Sequence, residues 1–447
     1  MRRILKNATI INEGLSFIGG IFVNDGVIAD VFDYSLPEDC DREAALCCEG
    51  DEVMDLTGSY VAPGVIDTHV HFREPGATHK GCIATESTAA VAGGVTSFMD
   101  MPNNNPPATS AAALAAKFDI ASRDSRANYG FYLGATDTNI DEVACASGAC
   151  AVKMFLGSTT GNLLLDGDDA MRSVFERSPL LIAAHCEDNS IIAANLERYK
   201  ARYGDAIPFS AHPAIRSAEA CLASTRRAVE MALDTGARLH IMHVSTACEV
   251  EYLSHVMRHT DRITAETCVQ YLWFSDEDYG LYGSRIKCNP AIKGASDRQA
   301  LREAVRSGVI STISTDHAPH LLCEKQGGYM QAASGIPLVQ YSLLMMLELA
   351  KAGVLPLPMV FEKMCHAPAR LYGIEGRGFI RKGCFADLVV FDMERPGDVQ
   401  PLSRCGWSPL TDFSSSIVYT FVNGSIAAAA GVPADGAPHG MKLKFIR

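Results

Sequence analysis

Short apolar runs recur along the middle of the chain, separated by Ala-rich stretches of helical period. The runs are Val65 to Phe72, Val95 to Met101, Ala127 to Gly134, Ala151 to Leu156, Leu180 to His185, Arg238 to Val244, Ile263 to Val269 and Val309 to Thr315. Their length and near-continuous apolar character are those of buried parallel strands. Between them Ser110 to Ser122, Ser217 to Leu233 and Asp297 to Ser307 read as helices. Eight strands alternating with helices predict an α/β chain with a (β/α)8 barrel over residues 59–374.

Both ends of the chain show a different pattern. Ile4 to Ile11, Gly20 to Val23, Val27 to Val31 behind an Asp25-Gly26 turn, and Glu52 to Leu56 read as short strands. Strand and turn signals return in 378–383, 387–391 and 417–426. These two all-β pieces are expected to combine into one small β-sandwich domain of residues 1–58 and 375–447. Ala427 to Ala430 is expected to lie in a mobile tail.

Composition narrows the function. A formal charge of -13 over 447 residues, with no Lys/Arg run longer than two, offers no surface for nucleic acid or an anionic membrane, so a small-molecule substrate is expected. The opening residues are basic without an apolar signal core, and no run approaches the roughly 18 apolar residues of a membrane span, which predicts a soluble, cytoplasmic protein. The 15 cysteines are scattered, often inside apolar segments, and read as reduced thiols.

Chemistry collects at the strand ends. In Val65 to Gly76 a side-chain period of two puts His69 and His71 on one face, and Pro75-Gly76 stops the strand just beyond them. A lone His-x-His is as readily a pair of hydrogen-bonded core histidines. Lys153, His185, His243 and Asp316 also sit at ends of predicted strands, however, and in a barrel those ends meet at one mouth. Imidazole and carboxylate are zinc ligands, and four His with one Asp exceed the needs of one ion. Two ions roughly 3.5–4 Å apart, sharing a hydroxide, fit such a set. Lys153 is either a carbamate bridging the ions, formed from its free amine and carbon dioxide, or a cation for substrate.

Arg73, two residues past His71, points along the same face and can hold a carboxylate with its planar fork; the alternative is a salt bridge to Glu74. Asn103 and Asn289 end their strands beside prolines, as substrate contacts or as turn formers. After the last strand His320 is expected to face substrate, His317 is as readily structural, and Asp316 is placed to carry a proton.

The segments His69 to Gly76, Met101 to Asn103, Val152 to Gly157, Ala184 to Asp188, His243 to Thr246 and Ser314 to His320, in this order, resemble the dihydroorotases of the amidohydrolase superfamily. The resemblance implies reversible, zinc-dependent cyclisation of N-carbamoyl-L-aspartate to L-dihydroorotate in pyrimidine biosynthesis. It further implies that His69, His71 and Asp316 hold one zinc and His185 and His243 a second, with carboxylated Lys153 and hydroxide between them. Asp316 becomes the catalytic proton carrier, and Arg73, Asn103, Asn289 and His320 the substrate-binding set. Allantoinases are similar but usually carry Asn in the motif of Arg73, and hydantoinases and dihydropyrimidinases usually lack its Arg-Glu-Pro sequence. Those cyclic amidases are the alternative, and an inactive scaffold for aspartate transcarbamoylase a further one. Homodimerisation and association with that transcarbamoylase are open. Ser334 to Gln340 departs from the Gly-Leu-Glu type usual at that place, in a loop that contacts substrate in relatives.

Overall fold

The apolar runs form parallel strands in the computed structural model, which describes residues 2–157, 163–165, 167–436 and 439–447. They are β1 (Val65–Val70), β2 (Val95–Asp100), β3 (Asn128–Phe131, continuing as Leu133–Gly134), β4 (Val152–Phe155), β5 (Ile182–His185), β6 (Leu239–Ile241), β7 (Ile263–Cys268) and β8 (Thr312–Ser314). Each pairs with the next in the chain, β3 joining the first set to the second. The ring closes where Val70 bridges His317 in parallel and the His71 amide donates to the His317 carbonyl at 2.7 Å. Neighbours in sequence are therefore neighbours in space, as in a (β/α)8 barrel.

The helices stand where the Ala-rich stretches predict. Ser110 begins Ala111–Asp124 by accepting the Ala113 amide, and Ser217 begins Ala218–Thr235 by accepting that of Ala220. A side-chain oxygen here satisfies an amide that the first turn leaves without a partner. Gly236 ends the second of these helices at φ 72°, a left-handed conformation that costs a glycine little. No helix among the described residues is long and apolar enough to cross a membrane, and all fifteen cysteines are free thiols.

Both ends of the chain meet in one nine-stranded sheet. Its middle strands are Arg2–Asn12, Tyr60–Pro63 and Leu388–Asp392, so the sheet also takes a strand just inside residues 59–374. The period of two divides the side chains of these strands between two cores. Ile10, Val61, Leu388, Val390 and Phe421 pack within the sheet's own core, while Ile11, Ala62, Val389, Phe391 and Val422 join the barrel core. Ala427 and Ala428 belong to a strand, Ser425–Ala429, and are buried against the barrel, which corrects the expectation of a mobile tail there. Their small side chains let that strand approach the helix Ile83–Ala92. At the carboxyl end, Lys442 pairs with Tyr129 of β3.

A buried carboxylate pins sheet to barrel. Asp387 pairs with Arg377, accepts Asn128 Nδ2 of β3 at 3.1 Å and accepts the Asn423 amide at 2.7 Å. Removing one member of a buried ion pair leaves the other charged without compensation. Asp387→Ala is expected to lower stability by about 3–5 kcal/mol, read as a fall in thermal midpoint; an unchanged midpoint would contradict the role.

Candidate metal centre and substrate cavity

Alternation along β1 aims Asp67, His69 and His71 at the barrel axis. Asp67 ties the strand to the end of β8, accepting Thr315 Oγ1 at 2.6 Å, and burial pushes its carboxyl up to about 7. Just past three strand ends, Arg73, His243 and Asp316 adopt φ values of 68°, 41° and 49°. Left-handed backbone is uncommon for such residues and persists only where the surroundings enforce it. At Asp316 the turn follows directly on β8, and His317 is held by its amide to Thr315 Oγ1 at 2.9 Å.

The donors converge. Asp316 Oδ1 lies 3.2 Å from His69 Nε2 and 2.9 Å from His71 Nε2, and the ligand atoms of these three residues all fall within 4.8 Å of one another. Beside them His185 Nδ1 is 2.8 Å from His243 Nε2, and the His69 and His243 ring centres are 5.3 Å apart. Burial lowers the pKa of His71 and His185, and that of His243 well below the ordinary imidazole value, so these rings are neutral. Burial alone would raise the Asp316 carboxyl; the groups facing it, Lys153 among them, hold it below its ordinary value instead.

The outer nitrogens decide what the inner ones can do. His69 Nδ1 donates to Glu266 Oε1 and His71 Nδ1 to Asn103 Oδ1, each at 2.8 Å. A neutral ring that donates at Nδ1 keeps a lone pair at Nε2. At His71 that lone pair faces a carboxylate oxygen at 2.9 Å, which repels unless a cation sits between them. This donor set fits a metal ion. Lys153, fully buried in β4, approaches no carboxylate within ion-pair distance among the described residues; its Nζ contacts Met242 Sδ at 2.8 Å, and burial pushes it down to about 8.

One cavity collects nearly all the residues singled out in the sequence. His69, His71, Arg73, Asn103, Lys153, His185, His243, Asn289 and Asp316 line it, together with Phe155, Ala318, Ser334 and Gly335. Arg73 is buried and donates to the Pro319 carbonyl, whereas Glu74 is turned to the Ile83 amide; the salt bridge between them is not formed. Asn289 Oδ1 is buried without a hydrogen-bond partner among the described residues. His320 stands behind the cavity wall, its Nδ1 3.2 Å from Lys80 Nζ and its Nε2 donating to the Ser334 carbonyl at 3.1 Å. His317 is bound to Glu86 at 2.9 Å and is structural. Glu266 and the Glu187–Arg216 pair behind His185 escaped the sequence reading. A lone glutamate in the apolar run of β7 was the available signal.

The model of the amidohydrolase family matches residues 60–427, most of the chain. The chain belongs to the amidohydrolase family. It is a hydrolase acting on cyclic amides, as the sequence resemblance implies. This amidohydrolase is 32% identical over 405 residues to a dihydroorotase of Halobacterium salinarum, covering 87% of this chain and 91% of that one. It is 31% identical over 402 residues to an allantoinase of Bacillus velezensis, covering 87% and 84%. Among solved structures it resembles the L-hydantoinase (dihydropyrimidinase) of Arthrobacter aurescens, with a TM-score of 0.91, 25% identity and 99% of each chain covered.

Glu266 accepts both His69 Nδ1 and Thr68 Oγ1, and partners of this kind orient metal-binding rings. Glu266→Gln is expected to weaken metal affinity by about 10–100-fold with the fold retained. Competition with a chelator measures this, and wild-type affinity would refute it.

Proposed function

We propose that this amidohydrolase is a dihydroorotase, interconverting N-carbamoyl-L-aspartate and L-dihydroorotate. The observation that carries the reading is Arg73, a buried guanidinium lining the cavity with no carboxylate in ion-pair contact among the described residues. Dihydroorotate brings such a carboxylate; allantoin, hydantoin and dihydrouracil do not. A neutral ring would leave the guanidinium charge buried without a carboxylate, which costs a few kcal/mol and disfavours those substrates.

His69, His71 and Asp316 would hold one zinc, and His185 and His243 a second, with the carbamate of Lys153 between them. Such ions, when bound, activate water and polarise the scissile carbonyl. For Lys153 the depressed pKa supports a free amine that adds to carbon dioxide, forming an N–C bond and releasing one proton.

In ring opening Asp316 accepts the proton of the attacking water and returns it to the leaving ring nitrogen. In synthesis it takes the proton from the attacking carbamoyl nitrogen and delivers it to the departing oxygen. Arg73 holds the substrate carboxylate, the free Asn289 Oδ1 accepts a ring N–H, and Asn103 keeps His71 in its tautomer. His320 stands outside this set, its Nε2 given to the Ser334 carbonyl.

Incubation of the zinc-loaded enzyme with dihydroorotate, allantoin, hydantoin and dihydrouracil is expected to turn over the first; turnover of another ring without it would sink the reading. In the same assay Arg73→Lys raises KM about tenfold or more, and Asp316→Asn cuts kcat by roughly 10²–10⁴. Carbon-13 bicarbonate should give a carbamate resonance that is lost in Lys153→Gln, and a spectrum without that signal would exclude the bridge.

A further inference from the structure

The loop that follows β8 rests on two buried ammonium groups. Lys325 is 2% exposed, and its Nζ donates to the carbonyls of Lys287 at 3.1 Å, Ala333 at 2.8 Å and Gly335 at 2.9 Å. Lys287, also buried, donates from Nζ to the carbonyls of Tyr329 at 2.7 Å and Ala332 at 2.6 Å. Gly335 in turn donates its amide to the Lys287 carbonyl at 2.8 Å. Ser334 and Gly335, the segment so held, form one wall of the cavity.

Three carbonyl acceptors match the three N–H bonds of an ammonium; a neutral amine has only two. The hydrogen bonds of Lys325 are thus complete while its charge is not. No carboxylate lies within ion-pair distance of Lys325 or Lys287 among the described residues, and the nearby Glu324 pairs with Lys80 at 2.8 Å. Burying a charge without a counter-charge is costly. Burial, with repulsion from Lys287 and Arg73, pushes Lys325 down to about 7. In a chain of net charge -13, three buried cations with no ion-paired carboxylate around one loop are a local inversion of sign.

We infer that Lys325, backed by Lys287, is a specificity-determining residue that makes this cavity select carboxylate-bearing cyclic amides over neutral ones. It does so as a positioning residue, fixing the Ser334–Gly335 wall through Gly335, and through the positive charge that its three carbonyl acceptors favour behind that wall. The inference rests on the dihydroorotase reading and extends it, since Arg73 alone would grip the carboxylate but would not set the potential of the pocket. A buried charge acts at full strength over several ångströms because little solvent screens it.

The test compares two rings that differ in the carboxylate, L-dihydroorotate as substrate and 5,6-dihydrouracil as competing ligand, on the zinc-loaded full chain. Lys325→Met is expected to raise KM for dihydroorotate about tenfold with kcat within about twofold, and to leave the inhibition constant of dihydrouracil unchanged. Lys325→Arg, which keeps the charge, is expected to restore most of the loss. Equal weakening of both rings would reduce Lys325 to a loop support and overturn the inference, as would an unaltered KM. Should Lys325→Met fail to fold, Lys287→Met carries the same expectation of a loss confined to the charged ring. Wild-type enzyme that turns over dihydrouracil but not dihydroorotate would overturn the dihydroorotase reading, and the inference with it. A wild-type preference for dihydroorotate that is undiminished in Lys325→Met would overturn the inference alone.

Discussion

Closure of the barrel between its first and last strands brings together groups that the chain keeps far apart. Asp67 on β1 holds Thr315 beyond β8, the His71 amide holds the His317 carbonyl, and between these two ties Asp316 is brought against His69 and His71. The left-handed turn at Asp316 is tolerable because both flanking residues are fastened. Loosening that seam would separate a carboxylate from two imidazoles and dissolve the donor set before any other part of the cavity changed.

Electrostatics divide the cavity into halves of opposite character. On the donor side imidazoles oriented by outer partners such as Glu266 and Asn103 face inward together with the Asp316 carboxylate. On the loop side stand Arg73, Lys287 and Lys325, with backbone carbonyls as hydrogen-bond partners. A substrate with an amide at one end and a carboxylate at the other fits such a division, the reacting bond toward the donors and the charge toward the cations. Low dielectric strengthens both halves.

Much of this was readable from the residues in order. Barrel strands announce themselves as apolar runs because both of their faces are buried, and His69, His71, His185, His243 and Asp316 were conspicuous as polar residues at the ends of such runs. Glu266 was not, because its meaning lies in His69, a residue brought to it only by the fold. Lys325 and Lys287 are harder still, since their partners are carbonyls, which every residue type carries alike. His320 shows the opposite failure: a histidine beside a proline after the last strand looks free to meet substrate, yet the loop folds back and Ser334 and Lys80 occupy its nitrogens. Ala427 and Ala428 read as featureless when their smallness is what lets a strand lie against a helix.

The sheet built from both termini has a temporal meaning. Val61 pairs with Ile10 on one side and Val390 on the other, so the strand beside the barrel's entry waits for a partner made only after the whole barrel. Until that partner arrives, the apolar face carrying Ile11 and Ala62 cannot be fully covered. A chain interrupted before Leu388 would carry this sticky edge permanently and be open to capture by chaperones and proteases. The sheet thereby works as a seal, applied only when the segment Leu388–Asp392 has been made.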